Sequence, residues 1–133
     1  MKLLITLFMA AGIINTSDPE PEMVVGAAST GPDETFEISD EASRAPYFLI
    51  FSSSGELINV IDNTNVARRR AGPATAELLV EQGVTHYLAL KFGRNLIIAL
   101  DNAGIERIET DEGTVEEAIK LFIEERAKAE CKC

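Results

Sequence analysis

The chain has 133 residues, a single-domain length that is still long enough to bury a real core. Hydrophobic residues make up 46% of it and aromatics only 6%, with no Trp, so the core must be built mainly from Ile, Leu, Val and Ala. With 22 acidic against 12 basic residues the formal net charge is −10, which argues against a nucleic-acid backbone or an anionic membrane as the main partner.

In chain order, Lys2 is followed by the apolar or small run Leu3 to Ile14 and then by polar residues. The run resembles a short secretory signal and is too short for a transmembrane helix, so no integral membrane segment is expected. No small-x-small cleavage pattern follows, and an extended start with Met23 as the natural beginning of the domain is the competing reading. The expected location is cytoplasmic, with export as the alternative. Ser17 to Glu22 carries two prolines and three acids and reads as a spacer. The expected division is a leader over 1–22, one domain over 23–126 and a charged, Cys-containing tail over 127–133.

Met23 to Ala28 is a short apolar run, expected as a buried first strand, and Phe36 to Ser39 is a candidate short strand after a Gly-Pro-Asp loop. Pro46 to Phe51 is apolar and partly aromatic, as a core strand is. Ser52 to Gly55 is a turn and Glu56 to Ile61 the hairpin partner, so an antiparallel meander fills the first half. A helix begins at Gly72-Pro73, with Ala74, Leu78 and Leu79 expected to face inward and Gly83 to stop it. Thr85 to Phe92 is the next strand, Arg94 to Ala103 a helix stopped by Gly104, and Ile105 to Thr110 a short strand at a sheet edge. Thr114 and Glu117 form a capping box, and Val115, Ala118, Ile119 and Phe122 recur at helical spacing. From Glu124 the apolar pattern is lost. The whole reads as one α/β domain, an N-terminal meander followed by alternating helices and strands.

Catalytic chemistry is sparse. His86 is the only histidine and is expected to be a packed strand residue rather than a base or ligand. Cys131 and Cys133 are the only cysteines. They cannot form a disulfide framework for the domain, and Cys131-Lys132-Cys133 is the one soft-metal candidate, the alternative being a tail with incidental thiols. Gly93 lies between a strand end and a helix start, where free N–H groups and the helix dipole favour an anion, and Lys91 and Arg94 flank it; a simple tight turn is the alternative. The acids Asp33, Glu34, Glu37, Asp40 and Glu41 read as a solvated loop. The basic run Arg68-Arg69-Arg70 does too.

The segments Arg44 to Phe51, Ala71-Gly72 with the helix to Gly83, Phe92-Gly93 with its helix, Ala103-Gly104-Ile105 and Thr114 to Phe122 fall in an order that resembles the dinitrogenase iron–molybdenum cofactor biosynthesis family, the small NifX-like domains, over about Met23 to Phe122. The resemblance implies a ribonuclease-H-like α/β fold without nuclease activity, and a non-enzymatic protein is expected. It also implies a carrier or accessory role for an anionic metal–sulfur cofactor or precursor, with cofactor-assembly proteins as partners. Arg44, Lys91, Gly93 and Arg94 would then hold the anion, with Cys131 and Cys133 as soft ligands. The family commonly has a His-Phe-Gly-Arg-like motif where this chain reads Glu41-Ala42-Ser43-Arg44, so only the arginine is kept and a carboxylate that repels anions replaces the imidazole. The alternatives are a protein–protein interaction or regulatory module that has lost its ligand and, less favoured by the acid-free core strands, a metal-dependent hydrolase.

Overall fold

The computed structural model describes residues 23–63 and 71–131, with side chains through 128. The leader, the Arg68-Arg69-Arg70 run and Cys133 lie outside the described residues. The elements are β1 (Val25–Ser29), β2 (Tyr47–Phe51), β3 (Leu57–Asp62), α1 (Ala71–Glu81), β4 (His86–Ala89), α2 (Arg94–Ala103), β5 (Glu106–Glu109) and α3 (Val115–Cys131).

The five strands form one sheet in the order β3-β2-β1-β4-β5. β2 pairs antiparallel with both β1 and β3, and β1, β4 and β5 run parallel. β2 is therefore the one reversed strand, the ribonuclease-H-like arrangement that the resemblance implies. The meander places β2 in the middle of the first half, where the run Phe48 to Phe51 is wholly buried. Glu106 to Glu109 alternates charge with Ile108 and takes the outer edge, as its mixed polarity predicts.

Alternate residues of the central strands serve two cores. On one face Ala28, Phe48, Ile50 and Tyr87 pack with Leu79 of α1 and Leu96 and Leu100 of α2. On the other, Val25, Ala27, Leu49, Phe51 and Leu88 meet Val115, Ile119 and Phe122 of α3. Two helices thus cover one face and a single helix the other.

The helix ends follow local chemistry. Gly83 and Gly104 adopt φ of 75° and 76°, the left-handed region that closes α1 and α2. The capping box of α3 forms in both directions: Thr114 N–H donates to Glu117 Oε1 at 3.1 Å, and Glu117 N–H donates to Thr114 Oγ1 at 3.2 Å. Its next two N–H groups, of Val115 and Glu116, donate to the carbonyls of Phe36 and Glu34.

Three expectations are corrected. The buried face of α1 is Ala71, Gly72, Thr75, Ala76 and Leu79, whereas Ala74 and Leu78 are only half-buried, because the helix leans its N-terminal turn against α2. β4 stops at Ala89, because the N–H of Leu90 turns away to the carbonyl of Ser39 at 3.2 Å. And α3 does not end where the apolar stripe fades: it runs on to Cys131 through Glu, Arg, Lys and Ala, all good helix formers, with Lys128 favourably placed in its last turn.

Candidate functional site

The carboxyl ends of β1, β3, β4 and β5 point to one edge of the molecule, the edge at which open α/β sheets commonly bind ligands. Two segments meet there. The first is the turn Ala42–Arg44, which precedes β2, and the second is Leu90–Arg94, which joins β4 to α2. Buried Tyr87 ties them together: its hydroxyl donates to the carbonyl of Ala42, and its ring packs edge-on against Phe92 with centroids 6.0 Å apart. Burial raises the phenol well above its ordinary range, so it stays a neutral donor.

Further pins come from buried Asn63, whose amide donates to the carbonyls of Ala45 at 2.8 Å and Ser43 at 3.3 Å, and from buried Thr75 of α1, which donates to Ser43 at 3.2 Å. One turn earlier in α1, Gly72 lies against the α2 backbone, where a Cβ would fall 2.9 Å from the nitrogen of Leu96. The first turns of α1 and α2 are thereby brought together, pooling two positive helix ends at one place.

Gly93 is the N-cap residue of α2, with φ −72° and ψ 156°, and its carbonyl accepts the first helical bond, from Ile97, at 2.9 Å. No carboxylate stands in the first turn of α2 and no side chain caps it. The N–H groups of Arg94 and Asn95 meet no acceptor among the described residues. Lys91, Gly93 and Arg94 are all exposed. Gly93 is not there for a tight turn: its φ is ordinary and a Cβ would meet nothing within 4 Å.

Of the residues singled out from sequence, Arg44, Lys91, Gly93 and Arg94 fall at this edge. Cys131 does not. It ends the 17-residue α3, which starts at the same edge and runs back along the sheet for about 26 Å, at 1.5 Å per residue. The end of α3 and the cationic residues thus lie at opposite ends of the sheet. Thr75, Asn63 and Tyr87, which hold the edge together, were not singled out; only the regular spacing of Thr75 with the buried face of α1 hints at its role.

Negative groups flank the cations. Glu41 is exposed, and Glu37, Asp40 and Glu112 border a neighbouring hollow of about 340 Å³ beside Leu90. Asp33 accepts from the hydroxyl and N–H of Thr35, which hold its carboxyl below the usual range. No group of three or more His, Cys, Asp or Glu side chains among the described residues is placed to hold a metal ion. His86 is packed at the other end of β4, with Nδ1 2.8 Å from Thr85 Oγ1, Nε2 3.4 Å from Glu106, and its ring against Phe122.

These features define a class: a three-layer α/β domain of ribonuclease-H-like topology, with two helix starts and a few basic side chains gathered at the carboxyl edge of its sheet. The chain belongs to the dinitrogenase iron–molybdenum cofactor family, whose profile it matches over residues 23–125. It is similar to a Thermotoga protein described as a candidate NifB protein, with 36% identity, a TM-score of 0.69, and coverage of 78% of this chain and 90% of that one. The orange protein of Desulfovibrio gigas, in its apo form, shares the fold at 22% identity, with a TM-score of 0.72 and coverage of 81% and 92%. No functionally curated protein matches. No described helix is long and apolar enough to cross a membrane.

Proposed function

We propose that the protein is a non-enzymatic carrier or accessory protein for an anionic metal–sulfur cofactor, of the iron–molybdenum type or a precursor of it. The observation that carries this reading is the convergence of the α1 and α2 starts at Gly72, next to an uncapped α2 terminus flanked by Lys91 and Arg94. A net charge of −10 would otherwise repel such a cargo. Here two helix dipoles, the free N–H groups of Arg94 and Asn95, and the charges of Arg44, Lys91 and Arg94 act together locally. The contrast with α3 supports the same reading, since the first N–H groups of that helix are satisfied from within the protein. Cys131 ends α3 away from this edge, so a soft-ligand role for it belongs to a separate place in the fold.

Anaerobic reconstitution with iron, molybdate and sulfide is expected to give a coloured, stoichiometric adduct. Arg94→Glu weakens it, and Glu41→His, which restores the residue type usual in the family at that place, strengthens it. Protein that stays colourless and metal-free under these conditions overturns the proposal. The exposed carboxylate of Glu41 favours one other reading, an interaction module of the same fold that has given up its cofactor. Recovery of a single specific partner by metal-free protein, with no adduct in reconstitution, would decide for it.

A further inference from the structure

On the α3 side of the sheet a groove of about 320 Å³ runs between β5 and the outer flank of α3, from the carboxyl edge toward the middle of the helix. Its floor is apolar, with Ile108 from β5 and Ala118 and Leu121 from α3, and Leu121 is 55% exposed with no described element over it. Its rim is acidic: Glu109, Asp111, Glu112 and Glu125 border it, and none of its lining residues is Lys or Arg. The one nearby base on β5, Arg107, reaches over the other face of the sheet to Asp101 at 3.0 Å.

The wall of this groove is an open strand. Among the described strands β5 has a single neighbour, and the N–H groups of Glu106 and Thr110 point inward to the carbonyls of Thr85 and Ala89, each at 3.0 Å. In a parallel ladder alternate residues face alternate sides, so the backbone N–H and C=O groups of Arg107 and Glu109 face outward. The hydroxyl of Thr110, which also lines the groove, is buried and has no hydrogen-bond partner among the described residues. Outward backbone groups, an apolar floor and a rim of one sign are the components of peptide capture by strand addition.

We infer that this groove docks an extended basic peptide segment of a partner protein, added to β5 as a sixth strand. Its apolar residues would sit over Leu121 and its Lys or Arg residues against the acidic rim. Charge selects the occupant. A second copy of this chain pairing through β5 would bring its own carboxylates against these, and each copy carries a formal charge of −10. A basic segment meets complementary charge along the whole groove. The inference stands apart from the cofactor reading, because Arg44, Lys91, Gly93 and Arg94 are not among the groove residues, although Glu112 also borders the hollow beside Leu90.

The test uses the full chain and a fluorescent nonapeptide in which valines and lysines share the odd positions, the set that faces α3, with threonine between them, followed by polarisation and by amide exchange. One-to-one binding that weakens steeply with salt is expected, together with new protection of the Arg107 and Glu109 amides. The counterpart with glutamate in place of lysine should not bind. Leu121→Asp, and the pair Glu112→Lys with Glu125→Lys, should each weaken binding about tenfold or more, whereas Glu77→Lys with Glu81→Lys on exposed positions of α1 should change it by less than about threefold. Equal loss from the α1 pair would mean general attraction to an acidic protein and would overturn the inference. So would Arg107 and Glu109 amides already protected without peptide. Protection that depends on protein concentration would give the groove to a second copy, and protection that does not would give it to residues 1–22 of the chain itself.

Discussion

Gly72 and Gly93 open neighbouring helices under opposite constraints. At Gly72 the backbone of α2 lies where a Cβ would go, so Gly72→Ala must push the two helix starts apart, at a cost of about 1–3 kcal/mol in urea unfolding. At Gly93 there is open space and an ordinary backbone conformation. Gly93→Ser supplies the missing cap and should raise stability by a few tenths of a kcal/mol. Its hydroxyl then occupies the N–H groups that the cargo would use, so cofactor retention should fall as the unfolding midpoint rises. Opposite signs in the two measurements separate a structural glycine from a functional one. The sequence marks both positions as glycine and cannot tell them apart, because the difference lies in what another segment places beside them.

At the scale of elements, α2 was legible to the residue because Gly93 and Gly104 punctuate it on both sides. The end of α3 was not. Its last two turns are charged, so they show no apolar stripe, and only their helix propensity continues the element. The start of α3 was announced by its capping box, and the structure adds that Phe36 and Glu34 hold the same turn. Thr114→Ala removes the side-chain half of that box and should cost about 1 kcal/mol, measured by chemical denaturation with the midpoint shifted and the slope unchanged. Of the candidate edge, Lys91 to Arg94 follow from a local pattern and Arg44 from the family resemblance. The pins from Asn63 to Ala45 and from Tyr87 to Ala42 span 18 and 45 residues, and no local pattern encodes them.

Across the whole molecule, His86 joins β4, β5 and α3 and couples stability to pH. Burial lowers its pKa below the ordinary 6.5; Glu106 opposes the shift and Arg126 adds to it. The unfolded chain then binds more protons than the folded one in the window just below pH 6.5, so His86 contributes stability above that window and the contribution is lost as the pH falls through it. Unfolding free energy should therefore decline from pH 7 toward pH 5. The decline should be shallower in His86→Gln, which leaves only the titrating carboxylates. An unchanged slope in the variant would show that the histidine is not responsible. The side chain is 12% exposed and sits far from the cationic edge, so the same substitution should leave cofactor retention as it was.

The direction of α3 has a practical side. Because that helix runs back against β1, the folded unit both enters, at Met23, and leaves, at Cys131, on the side of the sheet where Val25 and His86 stand together. A tether, a surface linkage or a further domain attached at either place would trail behind the protein. The face built from Arg44, Lys91 and Arg94 would be left pointing forward, open to whatever would deliver or collect the proposed cargo.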